Sequence, residues 1–160
     1  MKKRRLVATV ASLCTIGLIA GVVSVAFVGS AGAANPGNRK YAVTLTGAAQ
    51  VPPGDADGSG MGTVKIKAKQ STVCVVFKKI ANIMPAIAAH IHQAPAGVNG
   101  PIVVPLATPT QAGKFQKSKT CAVVSAALLA ALQNTPSDFY LNVHTGDFPG
   151  GAIRGQLPVA

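Results

Sequence analysis

The sequence predicts an all-β domain, an antiparallel Greek-key-like β-sandwich or barrel with one short helix. Apolar and polar residues alternate in several short runs, which is the period of a strand with one buried face. The runs are separated by turn-forming segments, and the chain holds 17 glycines and 11 prolines in 160 residues. Only one segment has a helical pattern, so the helix is a minor element of the fold.

The first run, YAVTLTG (41–47), places Tyr41, Val43 and Leu45 on one face. The loop QVPPGDADGSGMG (50–62) is rich in turn residues and joins this run to the next. The later strand-like runs are GTVKIKAK (62–69), STVCVVF (71–77), AIAAHIHQ (86–93), PIVVPLA (101–107) and FYLNVHT (139–145). The segment SAALLAALQNTP (125–136) predicts the helix, capped by Ser125 and stopped by Asn134 and Pro136.

Residues 1–34 predict a signal peptide: MKKRR is basic, an apolar run follows, and Ala31 and Ala33 offer a cleavage site. The run covers residues 6–29, longer than the usual h-region of roughly 7–15 residues, so an uncleaved N-terminal anchor is the alternative. Residues 35–40 are expected to be a linker, and residues 41–160 the domain. Both interpretations predict an exported domain that is periplasmic, on the cell surface or secreted, and only the anchor predicts membrane contact.

The charge is strongly positive, +11 for the whole chain. Without residues 1–34, eleven basic residues face four acidic ones, a net charge of about +7. Lys65, Lys67 and Lys69 take alternate positions of one predicted strand. They form either a basic stripe for an anionic partner or the solvated face of a strand, such as an edge strand protected by lysine. No aromatic residues interleave with them, so we expect no nucleic-acid partner.

Cysteine use agrees with export. Cys14 lies in the predicted leader, which leaves Cys74 and Cys121 in the domain. Two cysteines in an oxidising compartment usually pair, so we expect a disulfide. The alternative is two separate buried thiols.

All three histidines lie in two short segments. On a strand, His90 and His92 share one face, about 7 Å apart. In the second segment His144 shares a face with Tyr140 and Asn142. If the two strands are neighbours, the three imidazoles form a cluster.

Three neutral imidazoles suit copper or zinc and leave a fourth position for water or substrate. Asp147 is near enough in sequence to His144 to add a ligand or to orient a ring. Alternatively, the histidines are surface residues, with Tyr140 and Asn142 in a polar network without metal. A glycosidase with paired carboxylates is not expected, because the chain has no glutamate and only four aspartates. The G-x-S-x-G, P-loop and C-x-x-C motifs are also absent from the sequence.

Three blocks, LTGAAQVPP…GSGMGT, AAHIHQAPAGVNGPIVVPL and FYLNVHTGDFPGGAIRGQL, resemble the signatures of the CHRD (chordin-type) domain over about residues 41–158. The resemblance implies a secreted β-sandwich of the kind common in exported bacterial proteins. It implies little chemistry, because the molecular function of that family is poorly defined, and animal chordin acts by binding growth-factor partners.

The HIH motif, the later VH and a still later arginine are similar to the copper ligands of copper/zinc superoxide dismutases. That resemblance implies copper ligation by His90, His92 and His144, and Arg154 as a guide for an anionic substrate. The bridging histidine and the further zinc ligands of that family are missing, so only a copper site remains. Arg154 has an ordinary role open to it, hydrogen bonding to carbonyls of the GDFPGG turn (146–151).

The sequence thus predicts an exported CHRD-type binding protein that holds copper or zinc through the three histidines, not an established enzyme. A copper-dependent redox enzyme and a structural or adhesive module without metal are the alternatives. The expected partners are the metal ion and an anionic envelope component or a protein.

Overall fold

The structure is a computed structural model that describes residues 37–106 and 118–159. The predicted leader therefore lies outside the described residues, and signal cleavage or anchoring stays a prediction. Within the described ranges, no helix combines the length and the apolar character needed to cross a membrane.

Eight strands form a single sheet in which every pairing is antiparallel. The strands are β1 Arg39–Thr46, β2 Ser59–Lys67, β3 Thr72–Ala81, β4 Ala86–Gln93, β5 Ile102–Leu106, β6 Ser118–Val123, β7 Phe139–Thr145 and β8 Ile153–Gln156. Their order is β5-β4-β7-β8-β1-β2-β3-β6. The sheet curls into a nearly closed barrel, and with one helix, α1 (Ala126–Asn134), it confirms the predicted fold class.

The core lies inside the barrel, and the alternation of β1 shows why. Tyr41, Val43 and Leu45 are buried, while Ala42 and Thr44 between them are exposed. Successive side chains of a strand point to opposite faces, so burying every second residue builds one apolar layer. This alternation predicted β1 and the part of β2 from Gly62 to Lys67, because each has one face towards solvent. β2 begins at Ser59, inside the expected loop 50–62.

The helix packs against the barrel as its apolar residues predict. The Ser125 hydroxyl accepts a hydrogen bond from the Leu128 N–H at 3.2 Å, which caps the first turn. Leu129 and Leu132 are buried, and the Tyr41 hydroxyl donates to the Leu132 carbonyl at 3.1 Å. This contact attaches the C-terminal half of α1 to the start of β1.

Two expectations about β2 are wrong. Lys69 lies in a 3₁₀ turn, Ala68–Gln70, because β2 ends at Lys67. The strand is also not an edge, since β1 and β3 pair with its two sides. Lys65 and Lys67 therefore project from a strand that is paired on both sides, so no edge needs protection there.

Two strands had not been predicted. β8 has only four residues and includes Arg154 and Gly155, so it lacks an apolar alternation. β6 carries Cys121, which is bonded to Cys74 of β3 as expected. β1 begins at Arg39, inside the expected linker, because Arg39 and Lys40 already pair with β2.

Candidate metal centre

β4 and β7 are neighbours, and their register brings the histidines together. Ala88 lies opposite His144, His90 opposite Asn142, and His92 opposite Tyr140. Directly opposed residues of two strands point to the same side of the sheet. The intervening residues, including Ala89, Ile91, Leu141 and Val143, are fully buried in the barrel core. The histidines consequently lie on the outer face of the sheet, away from the barrel core.

One ring nitrogen from each of the three histidines lies within 4.8 Å of the others, so this group can hold a metal ion. His90 Nδ1 and His144 Nε2 are 3.2 Å apart. Two nitrogens bound at 2.0–2.1 Å to a tetrahedral ion are separated by about 3.3 Å. The His90–His144 pair therefore has the separation of two ligands on one ion. The ring of His92 lies 5.6 Å from that of His90 and 6.2 Å from that of His144.

Backbone carbonyls fix the tautomers of two of the rings. His92 Nδ1–H donates to the Gly100 carbonyl, and His144 Nδ1–H donates to the Pro149 carbonyl, each at 2.9 Å. A carbonyl oxygen only accepts hydrogen bonds, so the proton of each neutral ring is on Nδ1. Both Nε2 atoms then carry a lone pair. That of His92 has no partner among the described residues, and that of His144 accepts a hydrogen bond from His90 Nδ1–H at 3.2 Å, which a bound ion would replace. The carbonyls orient the rings as outer contacts of a metal site commonly do.

His92 Nε2 is buried and has no hydrogen-bond partner among the described residues. Leaving a buried acceptor unsatisfied costs about 1–3 kcal/mol. A bound ion would satisfy this lone pair, so the residues present fit a metal. His92 and His144 are 8% and 9% exposed, whereas His90 is partly exposed, so solvent and ions reach the cluster from the His90 side.

Tyr140 lies between His92 and Arg154. Its ring stacks on that of His92 with centroids 4.8 Å apart and planes 8° apart. The Arg154 guanidinium carbon lies 4.2 Å from the Tyr140 ring centroid. β4 and β8 flank β7 on its two sides, so His92 and Arg154 cover opposite faces of the ring. The stacking on Tyr140 restricts the rotation of the His92 imidazole ring.

The loop from Ala94 to Pro101 supplies the Gly100 carbonyl, and Arg154 holds this loop in place. Its Nη1 donates to the Val98 carbonyl at 3.2 Å and to Asn99 Oδ1 at 3.0 Å. The Tyr140 hydroxyl accepts from the Gly100 N–H at 3.2 Å. Arg154 is thus connected to the orientation of a histidine that it does not touch.

The sequence model of one family, the CHRD domain, matches residues 41–157. The chain belongs to the CHRD domain family. The match covers most of the described residues and confirms the resemblance that the three sequence blocks indicated. No curated protein and no solved structure matches the chain. Membership supports a role as an extracellular binding module, and the disulfide fits the same setting.

The structure places the two auxiliary residues differently from the three histidines. In this CHRD domain Asp147 is exposed in the turn after β7 and is not part of the group that can share an ion. Arg154 is 2% exposed. The carbonyl it contacts belongs to Val98 in the loop after β4, and not to the 146–151 turn.

Sequence reasoning missed the part of the site contributed by the segment between β1 and β2. Gln50 is 5% exposed, and its Nε2 donates to the Asn142 side-chain oxygen. Asn142 lies on β7 opposite both His90 and Arg154, so this hydrogen bond fixes a side chain next to the histidine cluster. Gln50 lies in an irregular Pro/Gly-rich segment, and a lone glutamine there gives no signal of its position.

Burial is the largest cause that lowers the pKa of His90 and of His92 below the ordinary 6.5. The nearby His144 lowers both further, while the Gly100 carbonyl opposes the shift at His92. The surroundings of His90 and His92 thus favour the neutral imidazoles, which is the form that binds metal.

The metal-free domain is expected to lose stability as the pH falls from 7.5 to 5. The unfolded chain takes up protons on His90 and His92 near pH 6.5, while the folded chain resists them until a lower pH. Folding stability is therefore complete above pH 6.5 and declines below it. Urea unfolding with a chelator present measures the effect, and His90→Gln/His92→Gln should flatten the profile. A wild-type profile already flat over this range contradicts the prediction.

Proposed function

We propose that this CHRD domain is an exported metal-binding protein of the cell envelope or extracellular space, holding copper or zinc through His90, His92 and His144. One observation carries the proposal: three ring nitrogens lie within 4.8 Å of one another. The hydrogen bonds from His92 and His144 to backbone carbonyls support it, because they direct Nε2 towards the ion.

The donor set favours copper or zinc. Three neutral imidazoles, with no carboxylate or thiolate in the group, suit these two ions better than magnesium or calcium, which prefer oxygen. Three protein ligands leave one position of a four-coordinate ion for water or an exchangeable ligand. The partial exposure of His90 indicates the side on which that position lies.

The open side near His90 also supports a second function, a copper-dependent redox enzyme acting on a small oxidant. The contacts of Arg154 argue for binding instead. Its guanidinium packs on Tyr140, and its Nη1 donates to the Val98 carbonyl and to the Asn99 side chain, while the buried Nη2 has no partner among the described residues. A guide for an anionic substrate would need to face solvent, and Arg154 is buried.

Metal titration of the full chain tests the proposal. The protein is exported, purified without a histidine tag, stripped with a chelator and titrated with copper or zinc. We expect one ion per chain, nitrogen couplings in the electron paramagnetic resonance spectrum of the Cu(II) form, and a raised unfolding midpoint. Absence of stoichiometric binding with both ions favours the structural or adhesive module. Superoxide turnover by the copper form would favour the enzyme.

A further inference from the structure

A cationic depression of about 280 Å³ lies where β1 begins and β2 ends. Arg39, Lys40, Lys65 and Lys67 line it, together with Asn38 and Ile66. β8 separates β1 from β7, so this cationic depression lies on different strands from the histidines. The proposed metal site does not involve the residues of the cationic depression.

The charges of the cationic depression are not neutralised by nearby acids. Lys40 lies directly opposite Lys65 in the β1–β2 register, and like charges in that position destabilise a sheet. The domain has only four acidic residues, and none lies on β1, β2 or β3; they are Asp55, Asp57, Asp138 and Asp147. An anion bound between the two lysines would relieve their repulsion.

Positive charge continues from the depression across the outer face of the sheet. Lys78 lies opposite Met61 and Lys119 opposite Val76, on the side of the sheet from which Lys65 projects. Both lysines are exposed. A second cavity of about 360 Å³ beside the 3₁₀ turn Ala68–Gln70 includes Lys69. The basic surface is therefore extended, and it suits a chain of repeated anionic groups better than one small ion.

The residues of this face favour one class of polyanion over nucleic acids and membranes. The aromatic residues of β1 and β3, Tyr41 and Phe77, are 3% and 0% exposed, so no ring on these strands can stack on a nucleobase or anchor in a lipid interface. Lysine ammonium groups act as point charges that donate hydrogen bonds to carboxylates without demanding a bidentate geometry. These features favour an acidic polysaccharide.

We propose that the cationic depression binds an acidic polysaccharide of the cell envelope, with uronate carboxylates between Lys40 and Lys65 and along the adjoining lysines. The proposal rests on the envelope location but not on the metal. It gives the domain a second role, attachment to an anionic polymer through β1 and β2, while the ion is held by β4 and β7 on the same outer face of the sheet.

Binding of a polyuronate to the full chain, measured at low and at high salt, tests the proposal. We expect Lys40→Gln/Lys65→Gln to weaken binding at least 10-fold, and the matched pair Lys78→Gln/Lys119→Gln to weaken it only about 2-fold to 3-fold. Both pairs remove two positive charges from the same face, so general electrostatic attraction predicts equal losses. Removing the opposed Lys40–Lys65 charges should not lower the unfolding midpoint.

Three results would overturn the proposal: equal losses in the two pairs, no polyuronate binding by the wild type, or tighter binding to anionic vesicles or a single-stranded oligonucleotide. Neutral dextran is the control for uncharged sugar contacts. His144→Ala should bind polyuronate like the wild type. Metal titration and polyuronate binding therefore test the two proposals independently.

Discussion

Replacing His144 with alanine is expected to weaken copper or zinc binding by about 100-fold or more while the barrel stays folded. Loss of an outer contact alone commonly costs 10-fold to 100-fold in metal affinity, and His144 would be a direct ligand. Its Nε2 lies 3.2 Å from His90 Nδ1, so the variant also removes the pair whose separation fits two ligands of one ion. The fold tolerates the change because the side chain lies outside the core, and water can replace it at the exposed Pro149.

Competition titration with a chelator of known affinity measures the loss. Gln93→Ala is the matched control, because Gln93 is exposed on β4 next to His92 and is not part of the cluster. Wild-type affinity in a folded His144→Ala protein would place the ion elsewhere. If His144→Ala fails to fold, the metal affinity of His90→Ala is measured instead. His90 is the most exposed of the three histidines, so its loss should disturb the fold least.

Removing the disulfide with Cys74→Ala/Cys121→Ala is expected to lower the free energy of unfolding by about 4 kcal/mol. The bond closes a loop with a sequence separation of 47 residues, and its loss restores the conformational freedom of that loop in the unfolded chain. Domains of this size have roughly 5–15 kcal/mol of stability, so the bond is a large share of the total.

Urea unfolding in the presence of a chelator measures the disulfide contribution without interference from metal. A reductant should lower the stability of the wild type to that of the double variant and leave the variant unchanged. A loss below about 1 kcal/mol, or an equal effect of reductant on both proteins, would show that the β3–β6 pairing does not depend on the bond.

The two-residue alternation of the sequence was enough to predict which side chains share one face of a strand. Side-chain alternation put His90 and His92 on one face of β4, and Asn142 and His144 on one face of β7, because a strand has a fixed period of two. The same rule identified the core of β1. The helix was equally clear, since Ser125, a run of alanine and leucine, and Pro136 mark both of its ends.

Strand order was beyond the reach of periodicity. Nothing in the alternation of β4 and β7 says that they are neighbours, and the mistaken edge position of β2 has the same cause. The carbonyls of Gly100 and Pro149 were also hidden, because every residue carries a carbonyl and only the loop conformation aims it. Arg154 likewise gains its role from the loop that reaches it.

Under our proposal of a metal site, the pairing of β4 with β7 also determines when the ion can be acquired. His90 and His144 are 54 residues apart in the chain, so an unfolded polypeptide offers only the local pair His90 and His92. The three-ligand set exists only after these strands have met, and an ion that binds it then opposes unfolding by mass action. A chain that crosses the membrane before it folds would therefore be loaded from the metal supply outside the cytoplasm. Under our proposal, the compartment in which folding ends then has as much influence on which metal is bound as the donor atoms have.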